Sequence, residues 1–160
     1  MNIYRGSARY HISKGFYDNV LENFLDNNIF CIGFDSENTK AYTILDRMVK
    51  NDIIYIKENT LHNKFIIRTI GIVTSNDIET FNNIVSSNGN KYPSCYGKNV
   101  KWIRDYFTNY DDLPDKFKKD LEFDNNSLPR NYFTTLELEK SPYFKKLINK
   151  LLESEIGKIN

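Results

Sequence analysis

The strongest constraint lies in residues 52–74, where two β-branched apolar runs, DIIYIK (52–57) and KFIIRTIGIVT (64–74), flank the polar turn ENTLHN. Runs of this kind, bounded by polar residues, predict two antiparallel strands joined by a loop longer than a tight two-residue turn. Gly71, inside the second run, predicts either a bulge or a close approach of neighbouring backbone.

The flanking sequence supplies both helix and strand signals. IYR (3–5) reads as a short first strand followed by a polar loop, GSARYHISKG. Phe16, Val20, Leu21, Phe24 and Leu25 recur at helical spacing and predict a helix over 16–28. IFCIGF (29–34) reads as a buried strand, and 41–49 as a second helix with Tyr42, Leu45 and Val49 on one stripe. Residues 77–87 are ambiguous between a short helix and an excursion, 86–99 read as a loop, and VKWIRDYF (100–107) as a strand. A short helix over 113–121 and a strand over 132–138 follow. A last helix over 141–153 opens with Ser141 as N-cap and Pro142 at its first position. Strands interrupted by helices around a central hairpin predict one α+β domain over 1–160, built on a strongly curved sheet or small barrel.

Composition narrows the chemistry. A chain of 160 residues with 40% hydrophobic and 27% charged residues can build a core. Its net charge of +1 excludes a histone-like tail or an acidic mimic of nucleic acid. Cys31 and Cys95 are too few for a disulfide framework or a four-thiolate zinc site, and Cys31, in an apolar run, reads as a packed thiol. The polar, basic N-terminus lacks a signal-peptide pattern, and no segment approaches the ~18 apolar residues of a membrane span. A cytoplasmic protein without a membrane partner is the expectation. The two histidines, His11 and His62, cannot make a His-rich metal centre. Arg5 and His11 have the spacing of an Arg/His ribonuclease motif, but that motif needs a helical scaffold which this glycine-containing stretch disfavours. No lysine is preceded two positions earlier by Asp or Glu, and no P-loop, Gly-x-Ser-x-Gly, His-Glu-x-x-His or Cys-x-x-Cys occurs. Asp111, Asp112 and the Asp124-Asn125-Asn126 run read as solvated loop residues. The expectation is a protein that is not an enzyme and needs no metal or cofactor.

Positive charge is uneven. Arg5, Arg9 and Lys14 precede the first carboxylate, Asp18. Lys91, Lys98, Lys101 and Arg104 fall in a carboxylate-free stretch between Glu79 and Asp105, together with Tyr92, Tyr96 and Trp102. Cations interleaved with aromatics suit a nucleic-acid surface, where charges neutralise phosphates and rings stack on an unstacked base. A solvated loop whose aromatics pack inward is the competing expectation.

The order of YRGSARY, IFCIGFDSEN, the hairpin NDIIYIKENTLHNKFIIRTIGIVTS, YGKNVKWIRDYF, DLPDKFKKDL, NNSLPRNYFTTLELE and a terminal amphipathic helix resembles the PUA-like superfamily. The resemblance is to its EVE and YTH-type domains and to the N-terminal reader domain of prokaryotic restriction proteins, and it covers nearly the whole chain. It implies a PUA-like fold and a non-catalytic domain that holds a modified, for example methylated, base flipped into an aromatic pocket. DNA in a prokaryotic or phage defence setting is the implied ligand; the absence of an attached nuclease departs from that architecture and leaves a free-standing protein, a nuclease partner supplied in trans or an excised domain as the alternatives. By the same resemblance Phe34 stands where the family has Trp, and Tyr96 or Tyr92 supplies a second wall. Asp35, Ser36 and Asn38 would read the base edge, with Ser7 matching in approximate position. Arg5, Arg9, Lys98 and Lys101 would contact phosphates. Trp102 is expected in the core, and Tyr55 and Arg68 as sheet residues. The rivals are an RNA-binding protein or small ribonuclease using Arg5 and His11, and a protein-interaction module using the acidic 105–124 surface.

Overall fold

The computed structural model describes residues 1–13, 16–33, 39–60 and 63–160. The first half runs β1 (Ile3–Ser7), β2 (Arg9–Ser13), β3 (Phe16–Asn19), α1 (Leu21–Asn27), β4 (Ile29–Cys31), α2 (Lys40–Arg47), β5 (Ile53–Asn59) and β6 (Lys64–Val73). The second runs β7 (Glu79–Phe81), β8 (Ile84–Val85), β9 (Lys91–Tyr92), β10 (Cys95–Asp105), α3 (Asp115–Leu121), β11 (Glu122–Asp124), β12 (Leu136–Leu138) and α4 (Pro142–Glu153). The main sheet, strongly curled into a half-barrel, has the order β12-β1-β5-β6-β10-β4, with β11 added on β6 and β7 on β10. β1 and β5 are parallel, and every other pairing is antiparallel. A parallel pair needs a long crossover, and the segment holding β2, β3, α1, β4 and α2 supplies it.

The central hairpin forms where its sequence predicts, and alternation along β5 divides its side chains between two cores. Ile54 and Ile56 face a cluster with Tyr4, Phe24, Phe30 and Trp102. Ile53 and Tyr55 face a second cluster with Phe65, Ile67, Phe144 and Ile148. Gly71 is a close approach: a Cβ there would lie 2.6 Å from Val100 and 2.7 Å from Trp102. It also borders an irregularity, since the register shifts between Trp102, opposite Gly71, and Arg104, opposite Ile70; a second irregularity sits at Ile56/Lys57. Trp102 is a core residue as expected, its indole N–H donating to the Phe24 carbonyl at 2.9 Å. α4 also matches its prediction, with the Ser141 hydroxyl accepting from the Phe144 N–H and with Phe144, Ile148 and Leu151 buried.

Other elements depart from the sequence expectation. Residues predicted as a loop and the start of a helix form the β2–β3 hairpin, with Arg9 opposite Asn19 and His11 opposite Tyr17. The apolar spacing from Phe16 therefore spans two elements. The Asn19 side chain accepts from the Leu21 N–H at 2.9 Å, closing β3 and starting α1. The 29–34 strand is shorter, ending at Cys31. α2 begins one residue early, capped by Thr39, and ends before Val49, which is 48% exposed while Met48 is buried in its place. β10 extends back to Cys95, and the predicted 132–138 strand is a 3-10 turn over Arg130–Phe133 followed by β12. No helix among the described residues is long and apolar enough to cross a membrane.

Candidate functional site

Phe34, Asp35, Ser36 and Asn38, the expected base-contacting residues, lie outside the described residues. Their chain neighbours are placed. Gly33 takes a left-handed φ of 77° with its α-carbon against the Tyr10 ring, and a Cβ there would fall 2.8 Å from that ring. The Tyr10 hydroxyl donates to the Cys31 carbonyl at 3.2 Å, securing the end of β4. On the far side, the Thr39 hydroxyl accepts from the Tyr42 N–H at 3.1 Å and begins α2. Tyr96 reaches both sides: its carbonyl accepts from the Ile32 N–H at 2.9 Å, and its ring stands edge-on to Tyr42 at 5.0 Å and 78°. Tyr42 thus joins the aromatic set; at the sequence level it is only one position of a helical stripe.

Tyr92 is placed differently. Its ring meets Tyr10 edge-on at 5.1 Å, and its hydroxyl donates to Asp18. The fully buried Asp18 carboxylate also accepts from the Asn88 and Asn90 side-chain amides, each at 2.7 Å. Burial pushes the Asp18 carboxyl up, but hydrogen bonds from Tyr92, Asn90, Asn88 and Ser86 outweigh it and hold the group below its ordinary range. Burial and the acceptor Asp18 together push the Tyr92 hydroxyl up to about 12. Tyr92 therefore ties the 86–92 segment to β3.

The expected phosphate contacts do not form one surface. Arg5 is 1% exposed; its guanidinium stacks 3.7 Å over the Tyr132 ring and donates to Glu139 at 2.9 Å. Glu139 also accepts from the hydroxyls of Tyr55 and Tyr132. Lys98 is fully buried, its ammonium donating to the carbonyls of Met48 and Asn76. Arg5 and Lys98 are corrected on this ground: each is sealed and spends its donors within the fold, where a phosphate has no access. Arg104 is likewise turned inward, donating to the Ser154 carbonyl at 2.9 Å. Lys101 is exposed, on the opposite face of β10 from Val100 and Trp102. The carboxylate-free stretch in the sequence is thus partly an interior feature.

Sequence reasoning missed a further polar group at the C-terminal ends of β1 and β5. Ser7 pairs with Lys57 across these parallel strands, and the Ser7 hydroxyl accepts from the Arg9 N–H at 3.2 Å. The Lys57 ammonium donates to the Asn59 side-chain carbonyl at 2.6 Å, Arg9 donates to the Asn59 backbone carbonyl, and the Asn59 amide donates to Asn125 at 3.0 Å. The signal was present in DIIYIKEN, where Lys57 falls in phase with Ile53 and Tyr55 on a face that those residues bury. Among the described residues no group of His, Cys, Asp and Glu is arranged to hold a metal ion. His11 lies on β2 and Arg5 is sealed on β1, so the helical scaffold of the ribonuclease motif is not formed. No family model and no curated protein matches the chain.

Proposed function

We propose that this chain is a PUA-like, non-catalytic nucleic-acid-binding domain that takes a modified base, expected in DNA of a prokaryotic or phage defence setting, into an aromatic niche. The observation that carries the reading is the Tyr42–Tyr96 pair, set where β4 leaves the sheet and α2 begins, beside both chain neighbours of residues 34–38. An edge-to-face pair gives a rigid apolar wall with a polarisable face, against which a flipped, methylated base can stack. Phe34, with Asp35, Ser36 and Asn38 reading polar atoms of the base edge, completes the niche in this reading, and Ser7 borders it. The curled sheet supports the assignment by supplying a concave scaffold of the expected class. Arg9 and Lys101 remain as phosphate contacts. The domain works without a cofactor in the cytoplasm, and a nuclease partner acts in trans.

A binding panel of duplex and single-stranded oligonucleotides, with and without methylated or hydroxymethylated bases, tests this. Phe34→Ala and Tyr96→Ala should each abolish the preference for a modified base, a loss of about 1–3 kcal/mol of stacking per ring, while part of the unspecific affinity survives. Variants that discriminate as well as the unaltered protein would place the niche elsewhere.

A further inference from the structure

The outer side of α4 carries uncompensated positive charge. Lys145, Lys146 and Lys150 are exposed along it, Lys140 is exposed just before it, and the sequence has no carboxylate between Glu139 and Glu153. None of these four lysines belongs to an ion pair among the described residues. Glu139 is buried and engaged by Arg5, Tyr55 and Tyr132. α3 also holds three lysines, but Asp115 and Asp120 are interleaved with them and Lys118 pairs with Asp115 at 3.8 Å. Helix stability does not account for the pattern on α4. Lys146 and Lys150 stand one turn apart as a like-charged pair, which works against the helix. The first turn holds no acidic residue, and Glu153 sits at the C-terminal end, where the helix dipole disfavours an anion. Only Lys150, in the last turn, suits the dipole.

Tyr143 lies on the same stripe, three residues before Lys146 and seven before Lys150. Its ring is 63% exposed, the one mostly exposed aromatic among the described side chains. Edge-on contacts with Phe123 at 6.2 Å and Phe144 at 5.4 Å hold it in place. The apolar stripe of α4, Phe144, Ile148 and Leu151, is already buried in the second cluster, so the helix has no free apolar face to sink into a membrane. It offers instead one ring and two cations along about 10 Å of helix axis. That combination holds a single nucleic-acid strand, the ring stacking on an unpaired base and the cations neutralising phosphates. Nucleic acid is favoured over an acidic protein surface because it engages ring and cations together. We propose that the Tyr143–Lys146–Lys150 stripe of α4 is a docking surface for single-stranded nucleic acid. Its helix packs on the second cluster, whereas Tyr42 and Tyr96 pack on the first, so the stripe is separate from the niche. The inference rests on the proposed function for the class of ligand, but the stripe holds a strand without reading a modification.

Fluorescence anisotropy of a labelled, unmodified single-stranded oligonucleotide tests the surface. Lys146→Gln/Lys150→Gln removes both charges and keeps good helix formers. It should bind about tenfold more weakly, with the slope of log K against log salt reduced by about 1.4, or about 0.7 for each lost phosphate contact. Tyr143→Ala should weaken binding about fivefold and leave that slope unchanged, since stacking releases no counterions. Lys116→Gln/Lys119→Gln, exposed on α3, changes the net charge equally and should bind as the unaltered protein does. A competition needs no variant: unlabelled oligonucleotide should displace the label at a lower charge concentration than polyglutamate or phosphatidylserine vesicles.

Equal displacement by polyglutamate or by the vesicles overturns the proposal, as does a failure of the unaltered protein to bind the oligonucleotide. Full-strength binding by both α4 variants overturns it too, and so does an equal loss in the α3 control. The base-reading niche fails separately. If the α4 variants lose affinity for modified and plain strands alike while the unaltered protein prefers neither, the stripe stands and the niche falls. A preference for the modified base that persists in α4 variants binding at full strength leaves the niche and removes the stripe.

Discussion

A compensating charge stabilises a buried guanidinium, and for Arg5 the fold supplies Glu139. Glu139 is reached by the Arg5 guanidinium and by the hydroxyls of Tyr55 and Tyr132, while the Tyr132 ring covers the cation. Both charged side chains are 1% exposed, so removing one leaves the other without compensation in a medium that screens it poorly. Glu139→Ala should destabilise the protein by about 3–5 kcal/mol, measured by urea unfolding at neutral pH; a loss below about 1 kcal/mol would show that water reaches Arg5. Arg5 and Lys98 show why the charge pattern was only half legible. A one-dimensional count of cations registers sign and neighbourhood, but β-strand alternation within a closed sheet decides which ones point at solvent. Position 57 carries the same lesson in the other direction: an ordinary strand-end lysine in the sequence is sealed by the pairing of β5 with β1.

At the level of elements, the β2–β3 hairpin and the 86–92 segment are held together by Asp18 rather than by a shared sheet. Its carboxylate gathers Tyr92, Asn88 and Asn90 from a segment some seventy residues away. Because its folded pKa is depressed, the stability it contributes is present above the unfolded carboxylate value of about 4 and is lost as the pH falls through the folded value. Asp18→Asn should therefore melt several degrees lower at neutral pH, and the gap should close on acidification. A gap independent of pH would assign the effect to shape rather than charge. The strong local signals of the central hairpin, the Ser141 cap and the α4 stripe all read correctly because each is complete within its own segment. The helix predicted over 16–28 fails in its first turn, since pairing with Arg9–Ser13 claims residues 16–19 for a strand. Likewise, the predicted loop before VKWI becomes strand because β7 and β4 lie alongside it, opposite Cys95–Asn99.

Across the whole molecule, one sheet serves two hydrophobic clusters. β5 gives Ile54 and Ile56 to one and Ile53 and Tyr55 to the other, so neither cluster can open without disturbing the shared strands. Fluorescence of Trp102, the lone tryptophan, reports the first cluster, while far-ultraviolet circular dichroism reports both, α4 included. The two signals should give one denaturation midpoint; separate midpoints would make the clusters independent units. The scaffold of the proposed niche was legible in part: the family resemblance implied Tyr96, but Tyr42 gained its place only when α2 packed beside β10. By itself, the sequence determined the α+β class, the central hairpin and the terminal helix, because these depend on local propensity and on the periodicity of apolar residues. Tertiary structure alone decided which cations are sealed, what Asp18 and Glu139 gather, and the crossover that makes β1 and β5 parallel. Those outcomes depend on contacts between residues far apart in the chain, and no window of neighbouring residues contains that information.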